Sequence, residues 1–319
     1  MKYFFETAVK CKDVKQNASS HLAIVNGGNI RYLISNKKGL RNRARRALAN
    51  NVSSYSKKLG MLMRSLEFMP DCVLRLAHLG RTLSVELPEE VLAAMHEVIE
   101  KRWPDKEWDY NIIVGSYVEK QKIVIQCFTS DIVDTAIYFK VCSNNAKAEI
   151  ENETSYLRSP IRSKRFQNPK LCYSLLQKDG ANYNIQATEE FSGSKVEPKM
   201  TQEIYQLFQE ISSFKMYEAE DGNKIAFSHG DFVPWNLKHT ENGYIIFDWE
   251  YCGMRFYGFD LIHYLWQIQN KLMGRSEKDA IKESIKIAKQ YDEYLCSLSD
   301  EYIEEQYFTE LRKQFGDVL

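Results

Sequence analysis

The sequence lacks Cys-x-x-Cys pairs, although it contains seven cysteines. They form an odd, unclustered set: Cys11, Cys72, Cys127, Cys142, Cys172, Cys252 and Cys296. Zinc sites and disulfide frameworks need cysteines at short, regular spacings or in even numbers. The pattern therefore argues against both kinds of site and favours a protein of the reducing cytosol.

Long hydrophobic runs and an excess of one charge are also missing. No segment approaches the ~18 consecutive apolar residues that a membrane-spanning helix needs. The 43 basic and 43 acidic residues give a formal net charge of zero, so the whole molecule lacks the polyelectrolyte character of a nucleic-acid-binding protein. We expect a soluble cytoplasmic protein without a specific nucleic-acid partner.

One stretch has no acidic residues at all. Residues 14–66 contain eleven basic side chains and neither Asp nor Glu. The basic residues are Lys15, Arg31, Lys37, Lys38, Arg41, Arg43, Arg45, Arg46, Lys57, Lys58 and Arg64. The interpretation that we favour is a solvated helix face whose charges pair with acidic residues elsewhere in the chain. The alternative is a peripheral contact with an anionic membrane or glycolipid surface.

The segment HGDFVPWNL at residues 229–237 contains the residues best suited to chemistry. Asp231 follows an apolar run at residues 225–227, and a carboxylate on a short loop after a strand can accept a proton from an attacking hydroxyl. Asn236 lies five positions later, which is the spacing of the kinase catalytic loop H-R-D-x-x-x-x-N. Asp231 is therefore a candidate general base.

A hairpin should bring another acidic residue to this segment. Asn242-Gly243 lies between two short β-prone runs, and an Asn-Gly pair in that setting is a strong hairpin signal. The predicted hairpin returns Asp248 towards Asn236. An Asp and an Asn that converge from two strand ends supply hard oxygen ligands, which suit Mg²⁺ bound through phosphates.

These motifs together resemble the aminoglycoside phosphotransferase and choline kinase family, which has a protein-kinase-like fold. The residues that carry the resemblance are HGDFVPWNL at 229–237, IFDWE at 246–250, Gly253 and FDL at 259–261. The resemblance implies that Asp231 is the catalytic base and that Asn236 and Asp248 are metal ligands.

The same resemblance gives roles to three neighbouring residues. It implies that His229 orders the catalytic loop and that Asp260 ties this loop to the following helix. Glu250 takes the place of a second acidic residue that many members carry beside the metal-binding Asp. Taken singly, such residues are more often turn, cap or core residues, so the inference rests on their common order and spacing.

Residues 106–191 have the pattern of a small antiparallel sheet. Three β-prone runs, at 111–117, 122–129 and 135–141, are separated by polar turns. The first turn contains Gly115-Ser116 and no G-x-G-x-x-G pattern. We expect this turn to cover the nucleotide phosphates, as a reduced form of the glycine-rich loop.

The resemblance also implies nucleotide-binding residues in this region. Lys140 lies in the run at 136–141, which resembles the kinase V-A-I-K strand, and would contact the α- and β-phosphates. An ordinary exposed strand lysine is the alternative. Glu153, in an E-x-x-x-L segment, would hold that lysine. The segment that contains Glu190 and Phe191 resembles the hinge whose backbone contacts adenine.

The sequence therefore predicts an α+β, two-lobed protein-kinase-like fold with an added amino-terminal module. Residues 1–105 form a basic and partly helical extension without a recognised motif. Residues 106–191 form the antiparallel-sheet small lobe, and residues 192–319 form the mainly helical large lobe with the catalytic loop and the acceptor region.

The predicted activity is ATP- and Mg²⁺-dependent phosphoryl transfer to a hydroxyl of a small molecule, with a sugar or cell-envelope precursor as first candidate. One alternative is a nucleotide-binding pseudokinase or scaffold that works through the basic amino-terminal module. Another is a kinase-fold nucleotidyl transferase. The intact set Lys140, Asp231, Asn236 and Asp248 favours catalysis over a pseudokinase, but it does not separate the two kinds of transfer.

Overall fold

The computed structural model describes residues 4–13, 21–26, 29–37, 40, 44–45, 80–115, 118–129, 135–176, 182–191, 193–220 and 222–315. Most of the basic stretch at residues 14–66 lies outside these ranges, and so does Ser116. The expectations for those residues therefore concern parts of the chain that the structure does not describe.

Strands dominate the first part of the chain and helices the last. Within the described residues the strands are β1 (Lys10–Asp13), β2 (His21–Asn26), β3 (Asn29–Ser35), β4 (Gly80–Glu86), β5 (Trp108–Val114), β6 (Lys122–Thr129), β7 (Thr135–Cys142), β8 (Phe166–Gln167), β9 (Lys170–Leu175), β10 (Asn184–Phe191), β11 (Ser194–Lys195), β12 (Met216–Glu218), β13 (Lys224–Ser228), β14 (Leu237–Thr240), β15 (Gly243–Ile246) and β16 (Gly253–Phe256).

The α-helices of the same residues are α1 (Phe4–Ala8), α2 (Glu89–Arg102), α3 (Lys147–Arg158), α4 (Gln202–Ser213), α5 (Phe259–Gln267), α6 (Glu277–Tyr291), α7 (Glu293–Ser297) and α8 (Asp300–Phe315). Short 3₁₀ turns lie at Pro234–Asn236, directly before β14, and at Trp249–Tyr251, directly after Asp248. Helix α5 continues into a π-helical turn at Ile268–Leu272. None of the helices that the structure describes combines the length and the hydrophobicity needed to cross a bilayer.

The chain folds into two compact units, and the first contains residues 1–154 and 169–192. The nine strands that the structure describes in this unit form one antiparallel sheet in the order β1-β4-β2-β3-β5-β6-β7-β10-β9. Alternate residues of the central strands, such as Ile112, Ile125 and Ile137, are fully buried in the main core of this unit. Helix α2 joins that core through five buried apolar residues at helical spacing, Val91, Ala94, Met95, Val98 and Ile99.

The amino-terminal strands belong to this same sheet. The β2–β3 hairpin pairs with β5 through Tyr32↔Ile113 and Leu33↔Ile112. Strands from before and after residue 105 therefore share one hydrogen-bonded ladder. The division of the chain at residues 105 and 191 stays a prediction.

The second unit contains residues 155–168 and 193–319. Helices make up most of it, together with a four-stranded sheet, β11-β14-β15-β8, and a three-stranded sheet, β12-β13-β16. With an antiparallel-sheet unit followed by a mainly helical one, the predicted α+β fold class is confirmed.

Helix α5 is the central helix of the second unit. All residues from Phe259 to Trp266 are buried, and a helix that is buried on every side lies inside the core. Two polar residues on this helix, Asp260 and His263, are therefore expected to have hydrogen-bond partners, because unpaired buried polar groups are costly. Both contact the segment that contains the candidate base.

Candidate active site

The turn that follows β13 is held by the carboxylate of Asp260. Asp260 Oδ1 accepts hydrogen bonds from Ser228 Oγ at 2.7 Å and from the backbone N–H of Gly230 at 3.0 Å, and Oδ2 accepts from the backbone N–H of His229 at 2.6 Å. Asp260 is 1% exposed, and a buried carboxylate is tolerated when donors fill its lone pairs. Three consecutive residues supply those donors, so the turn and α5 are fixed to each other.

Gly230 is required by the shape of this turn. Its φ of 85° lies in the left-handed region, and a Cβ at this position would lie 2.1 Å from the carbonyl oxygen of Tyr251. Glycine alone satisfies both conditions without strain. The carbonyl oxygen of Gly230 accepts a hydrogen bond from Gln314 Nε2 at 3.0 Å, which secures the turn from α8.

His229 is fully buried and links the turn to the end of the β14–β15 hairpin. The backbone N–H of Asp231 donates to His229 Nδ1 at 3.2 Å, so the ring proton is on Nε2, which donates to the carbonyl oxygen of Phe247 at 3.1 Å. Burial lowers the pKa of His229 below its usual value. A neutral ring with both nitrogens engaged fits the loop-ordering role that the resemblance implies.

Asp231 is held in one orientation by two side chains. Asn236 Nδ2 donates to Asp231 Oδ2 at 2.9 Å and to the carbonyl oxygen of Asp231 at 3.0 Å, while His263 Nε2 lies 3.1 Å from Oδ1. The side chain of Asp231 remains 23% exposed. It is thus a positioned carboxylate that an incoming hydroxyl can reach, which is the geometric requirement for a general base.

His263 and Tyr307 were missed by the sequence-based prediction. Both are 0% exposed, and His263 Nδ1 lies 3.0 Å from the Tyr307 hydroxyl. Burial raises the pKa of Tyr307 well above its usual value, and the negative charge of Asp231 adds to this effect. The signal in the sequence was a histidine inside an otherwise apolar helical run, which needs polar partners from elsewhere in the core.

The predicted hairpin is present and brings Asn236 and Asp248 to the same end. Leu237 pairs with Ile246, and the backbone N–H of Phe247 donates to the carbonyl oxygen of Asn236 at 3.2 Å. Asp248 is the next residue along the chain. Sequence reasoning located this pair through the hairpin signal at residues 242–243.

Asp248 leaves the hairpin in an uncommon backbone conformation. Its φ of 71° and ψ of 53° are left-handed, a region that Asp and Asn enter more readily than most residues. The following Trp249 is fully buried, donates from Nε1 to the carbonyl oxygen of Ile246 at 2.9 Å, and stacks on Tyr156 with ring centroids 4.1 Å apart. This packing fixes the direction in which the backbone of Asp248 turns away from the strand.

The donor set at this end of the hairpin fits a metal ion that is delivered by a phosphate ligand. Asn236 uses its amide nitrogen for Asp231, so the amide oxygen is the atom suited to a metal. Glu250 is half-buried, two residues beyond Asp248. In the part of the chain that the structure describes, no group of three His, Cys, Asp or Glu side chains could hold a metal ion by itself. Mg²⁺ is commonly bound by one or two carboxylates plus substrate phosphates, which suits this set.

In the first unit, Lys140 and Glu153 form an ion pair. Lys140 Nζ lies 2.6 Å from Glu153 Oε2, and the two side chains are 20% and 3% exposed. Gln186, which pairs with Lys140 across β7 and β10, places its amide 2.9 Å from the same carboxylate oxygen when the amide nitrogen faces it. Glu153 is therefore held by two donors. Gln186 was not predicted from the sequence.

Gly115 follows β5 at the turn expected to cover the phosphates. A Cβ at Gly115 would lie 2.9 Å from the carbonyl oxygen of Lys122, so this position excludes a side chain without a local shift. The guanidinium of Arg31 donates to the carbonyl oxygen of Gly115 at 3.3 Å. Ser116, the other residue predicted here, lies outside the described residues.

Glu190 and Phe191 end β10, where their backbones pair with Ala136 and Thr135 of β7. The chain passes into the second unit after residue 192. Gly115 lies near the opposite end of β7, because β5 and β6 continue the sheet towards Cys142. The structure therefore groups Lys140 with Glu153, and Asp231 with His229, Asn236 and Asp248, and leaves Gly115 away from Glu190 and Phe191.

Comparisons with known proteins identify the family of the chain. The family model "Choline/ethanolamine kinase" matches residues 132–298, which is just over half of the 319-residue chain. No curated protein sequence matches the chain.

Two solved structures illustrate the structural comparison. An amicoumacin kinase in complex with AMP-PNP and Ca²⁺ aligns with a TM-score of 0.38 and 13% identity, over 73% of this chain and 90% of that chain. A choline kinase from Cryptosporidium parvum aligns with a TM-score of 0.42 and 11% identity, over 71% of this chain and 95% of that chain.

The family match spans both groups of site residues. It begins before Lys140 and ends after α7, so it includes the β7 lysine, the turn that follows β13 and the β14–β15 hairpin. The resemblance seen in the sequence is therefore confirmed: the chain belongs to the choline/ethanolamine kinase family of protein-kinase-like small-molecule phosphotransferases.

Proposed function

We propose that the protein transfers the γ-phosphoryl group of ATP to a hydroxyl of a small molecule, with Asp231 as general base. The hydroxyl oxygen forms a bond to the γ-phosphorus, the bond to the β–γ bridging oxygen breaks, and the hydroxyl proton passes to Asp231. The observation that supports this role best is the carboxylate itself, which is oriented by Asn236 and His263 and is still 23% exposed.

We assign Asn236 and Asp248 as ligands of a nucleotide-bound Mg²⁺, with Glu250 as the neighbouring acidic group. A divalent metal held there would neutralise charge on the transferring phosphates. The hydrogen bond from Asn236 Nδ2 to Asp231 supports the assignment, because it couples the metal ligand to the base. The side chain of Asn236 would thus orient both the metal ion and the carboxylate of Asp231.

The nucleotide side of the reaction is assigned to the first unit. Lys140 supplies a compact positive charge to the α- and β-phosphates, and its ion pair with the buried Glu153 supports this role. Gly115 and Ser116 would cover the phosphates. The backbones of Glu190 and Phe191 would contact adenine.

The acceptor hydroxyl belongs to a sugar or a cell-envelope precursor as our first candidate. Amino alcohols are the second candidate, because the matching family is named for choline and ethanolamine kinases. Both classes can be tested in one screen, in which pools of sugars, envelope precursors and amino alcohols are incubated with Mg²⁺ and either γ-labelled or α-labelled ATP.

The label separates the three functions. Transfer from γ-labelled ATP to any pool supports the kinase. Transfer from α-labelled ATP identifies a nucleotidyl transferase. Binding of Mg²⁺ and ATP without transfer to any pool contradicts the proposal and favours a pseudokinase. The variant Asp231→Asn serves as the control for contaminating kinases in each pool.

For the basic stretch at residues 14–66 we propose two alternative roles, which are charge pairing within the molecule and a peripheral membrane contact. Among its described members, Lys37 Nζ lies 2.9 Å from Glu107 Oε1, and Arg45 is 4% exposed. The pair between Lys37 and Glu107 supports our favoured interpretation, in which a solvated face pairs its charges with acidic residues elsewhere in the chain. Arg45 is buried and so does not belong to such a face. A peripheral membrane contact would have to come from the remaining basic residues.

Vesicle binding separates the two interpretations. Internal pairing predicts no pelleting with anionic vesicles at any salt concentration. A surface contact predicts pelleting at low salt that fades as the Debye length falls to about 8 Å at physiological ionic strength. It also predicts loss of pelleting when Arg41, Arg43 and Arg46 are neutralised together.

A further inference from the structure

Three polar side chains lie in a row that leads from the candidate base into the core of the second unit. Asp231 Oδ1 is 3.1 Å from His263 Nε2, and His263 Nδ1 is 3.0 Å from the Tyr307 hydroxyl. The histidine comes from α5 and the tyrosine from α8, and both are 0% exposed. The row therefore connects a partly exposed carboxylate to two groups that solvent does not reach.

The direction of the hydrogen bonds follows from what each group can donate. An ionised carboxylate is an acceptor, so the proton of His263 has to be on Nε2, facing Asp231. Nδ1 of a neutral ring is then an acceptor. The hydroxyl of Tyr307 donates to it, because burial raises the pKa of Tyr307 and keeps the hydroxyl protonated. Tyr307 thereby selects the tautomer that donates to Asp231.

The ring of His263 is also fixed by packing. It lies parallel to Phe259, with centroids 5.6 Å apart and an angle of 9° between the rings, and close to parallel to Trp266, at 6.3 Å and 25°. A ring held on two sides and bonded at both nitrogens has one orientation. Its hydrogen bond to Asp231 is therefore preorganised before any substrate binds.

We propose that His263 is a positioning residue for phosphoryl transfer, and that Tyr307 fixes its tautomer. His263 holds Oδ1 of Asp231 while Asn236 holds Oδ2, so the carboxylate keeps one plane as the acceptor hydroxyl approaches. This inference rests on the proposed role of Asp231 as the base. In this proposal the orientation of Asp231 depends on His263 and Tyr307, which are far from each other in the chain.

The kinetic test compares three substitutions. His263→Ala should lower kcat by roughly 10- to 100-fold, the scale seen when a partner that orients an active-site group is removed, with little change in the KM for ATP. His263→Gln should recover much of the rate, because its amide nitrogen can donate from near the position of Nε2. Tyr307→Phe should cause a smaller loss, since the ring stays but the tautomer is no longer fixed.

Tyr264→Phe is the matched control. Tyr264 lies beside His263 on α5 and is equally buried, but its hydroxyl donates to the carbonyl oxygen of Lys199 at 3.2 Å. Loss of the Tyr264 hydroxyl should leave kcat unchanged. The proposal is overturned if His263→Ala keeps the parent kcat, or if His263→Gln and Tyr264→Phe lose as much as His263→Ala, because the effect would then be one of packing.

Histidine ¹⁵N NMR of the unsubstituted protein tests the tautomer without any assay of activity. The His263 ring, identified by the signal that disappears in His263→Gln, should be protonated on Nε2 and unprotonated on Nδ1. In Tyr307→Phe this signature should weaken. A proton on Nδ1 in the parent protein overturns the proposal, and this measurement remains decisive if His263→Ala does not fold.

Asp231→Asn, assayed beside these variants, separates the two levels of inference. Assays use Mg²⁺ and ATP with an acceptor from the screen, or with water as the acceptor. If Asp231→Asn keeps full turnover, the proposed function fails. If Asp231→Asn loses turnover while His263→Ala does not, the base is right and the positioning role of His263 is wrong.

Discussion

The two groups of site residues hold their charges in different ways. In the first unit, Glu153 is balanced by the charged side chain of Lys140. In the second unit, Asp260 is satisfied by two backbone N–H groups and a hydroxyl, with no cation in direct contact among the bonds described above. An ion pair can be broken by one substitution that leaves a buried charge behind, whereas backbone donors stay in place when side chains change.

The comparison also explains why one group was easier to recognise. The donors to Asp260 come from three consecutive residues, so they form one contiguous sequence motif that can be recognised without the structure. Lys140, Glu153 and Gln186 come from a strand, a helix and another strand, and each has ordinary chemistry on its own. Both groups depend on tertiary contacts, because Asp260 lies 30 residues beyond Gly230. The difference is that the donors of the second group are contiguous in the sequence.

The largest expected effect on stability comes from breaking the ion pair of the first unit. Lys140→Met leaves Glu153 buried without its cation and should lower the free energy of unfolding by about 3 kcal/mol, near the lower end for a buried pair that loses one partner. Urea denaturation measures this change. The double variant with Glu153→Gln should recover part of the loss.

An exposed pair in the same unit provides the matched control. Lys12 Nζ lies 2.7 Å from Glu86 Oε1, but the side chains are 65% and 50% exposed. Lys12→Met should therefore change stability by less than about 1 kcal/mol. Equal losses in the two lysine variants would remove the distinction between a structural surface pair and the candidate nucleotide-site pair.

Substitution of the candidate base should affect turnover rather than stability. Asp231→Asn should reduce kcat by roughly 10²-fold or more, the scale of lost general-base help, while the affinity for ATP stays close to that of the parent. Steady-state kinetics and ATP titration measure the two quantities separately. Asp279→Asn, at an exposed position of α6, should leave both unchanged, and a full-rate Asp231→Asn enzyme would contradict the assignment.

The metal assignment predicts that ATP stabilises the protein mainly when Mg²⁺ is present. At an ATP concentration about thirty times Kd, the gain should be about 2 kcal/mol, seen as a rise in Tm. Chelator should remove most of this gain, and so should Asp248→Ala. Equal Tm shifts with Mg²⁺ and with chelator would count against Asn236 and Asp248 as ligands.

A more gradual expected effect is a pH dependence that both units share. Burial lowers the pKa of His21 in the first unit and of His229 in the second. Because the unfolded chain binds these protons more readily, each histidine should reduce stability as pH falls below about 6.5, by up to about 1.4 kcal/mol per pH unit. Stability contributed by the neutral rings is fully present above that pH.

The two histidines should differ when they are replaced. His229 has hydrogen bonds at both ring nitrogens, whereas His21 bonds the carbonyl oxygen of Tyr110 through Nε2 and has a buried Nδ1 without a partner in the described residues. His21→Gln and His229→Gln should each flatten the pH profile of urea midpoints between pH 5 and 6.5. His229→Gln should cost more stability at pH 7.5, because it disrupts two bonds.

The sequence was sufficient for features that are encoded locally. The apolar run before residue 229, the turn at Gly230, the Asn242-Gly243 hairpin and the Asp at the start of α5 are short-range patterns, and the structure has the corresponding strand, turn, hairpin and helix. The family follows from the same patterns. The roles of the individual residues remain predictions that the experiments above address.

Features that depend on long-range packing could not be predicted in the same way. His263 has the pattern of a core residue, and its connection to Tyr307 depends on how α5 and α8 pack. The pairing of β3 with β5 likewise joins strands that are far apart in the sequence, so the apparent boundary at residue 105 carried no signal of a shared sheet. Periodicity reveals which face of an element is buried, but not which partner covers it.

The second unit is built from two separate segments of the chain, and this has a consequence for which fragments of the protein can fold. Its first segment, residues 155–168, leaves the ribosome before the last strands of the first unit, while the rest begins at Gly193. Tyr156 stacks on Trp249, and β8 pairs with β15. These contacts can therefore form only after the later residues have been synthesised. A fragment that starts at Gly193 would contain the whole turn after β13, which carries the candidate base, yet it would expose the indole of Trp249 and an open edge of β15. A single cut at residue 193 therefore does not yield the complete second unit, because residues 155–168 belong to it as well.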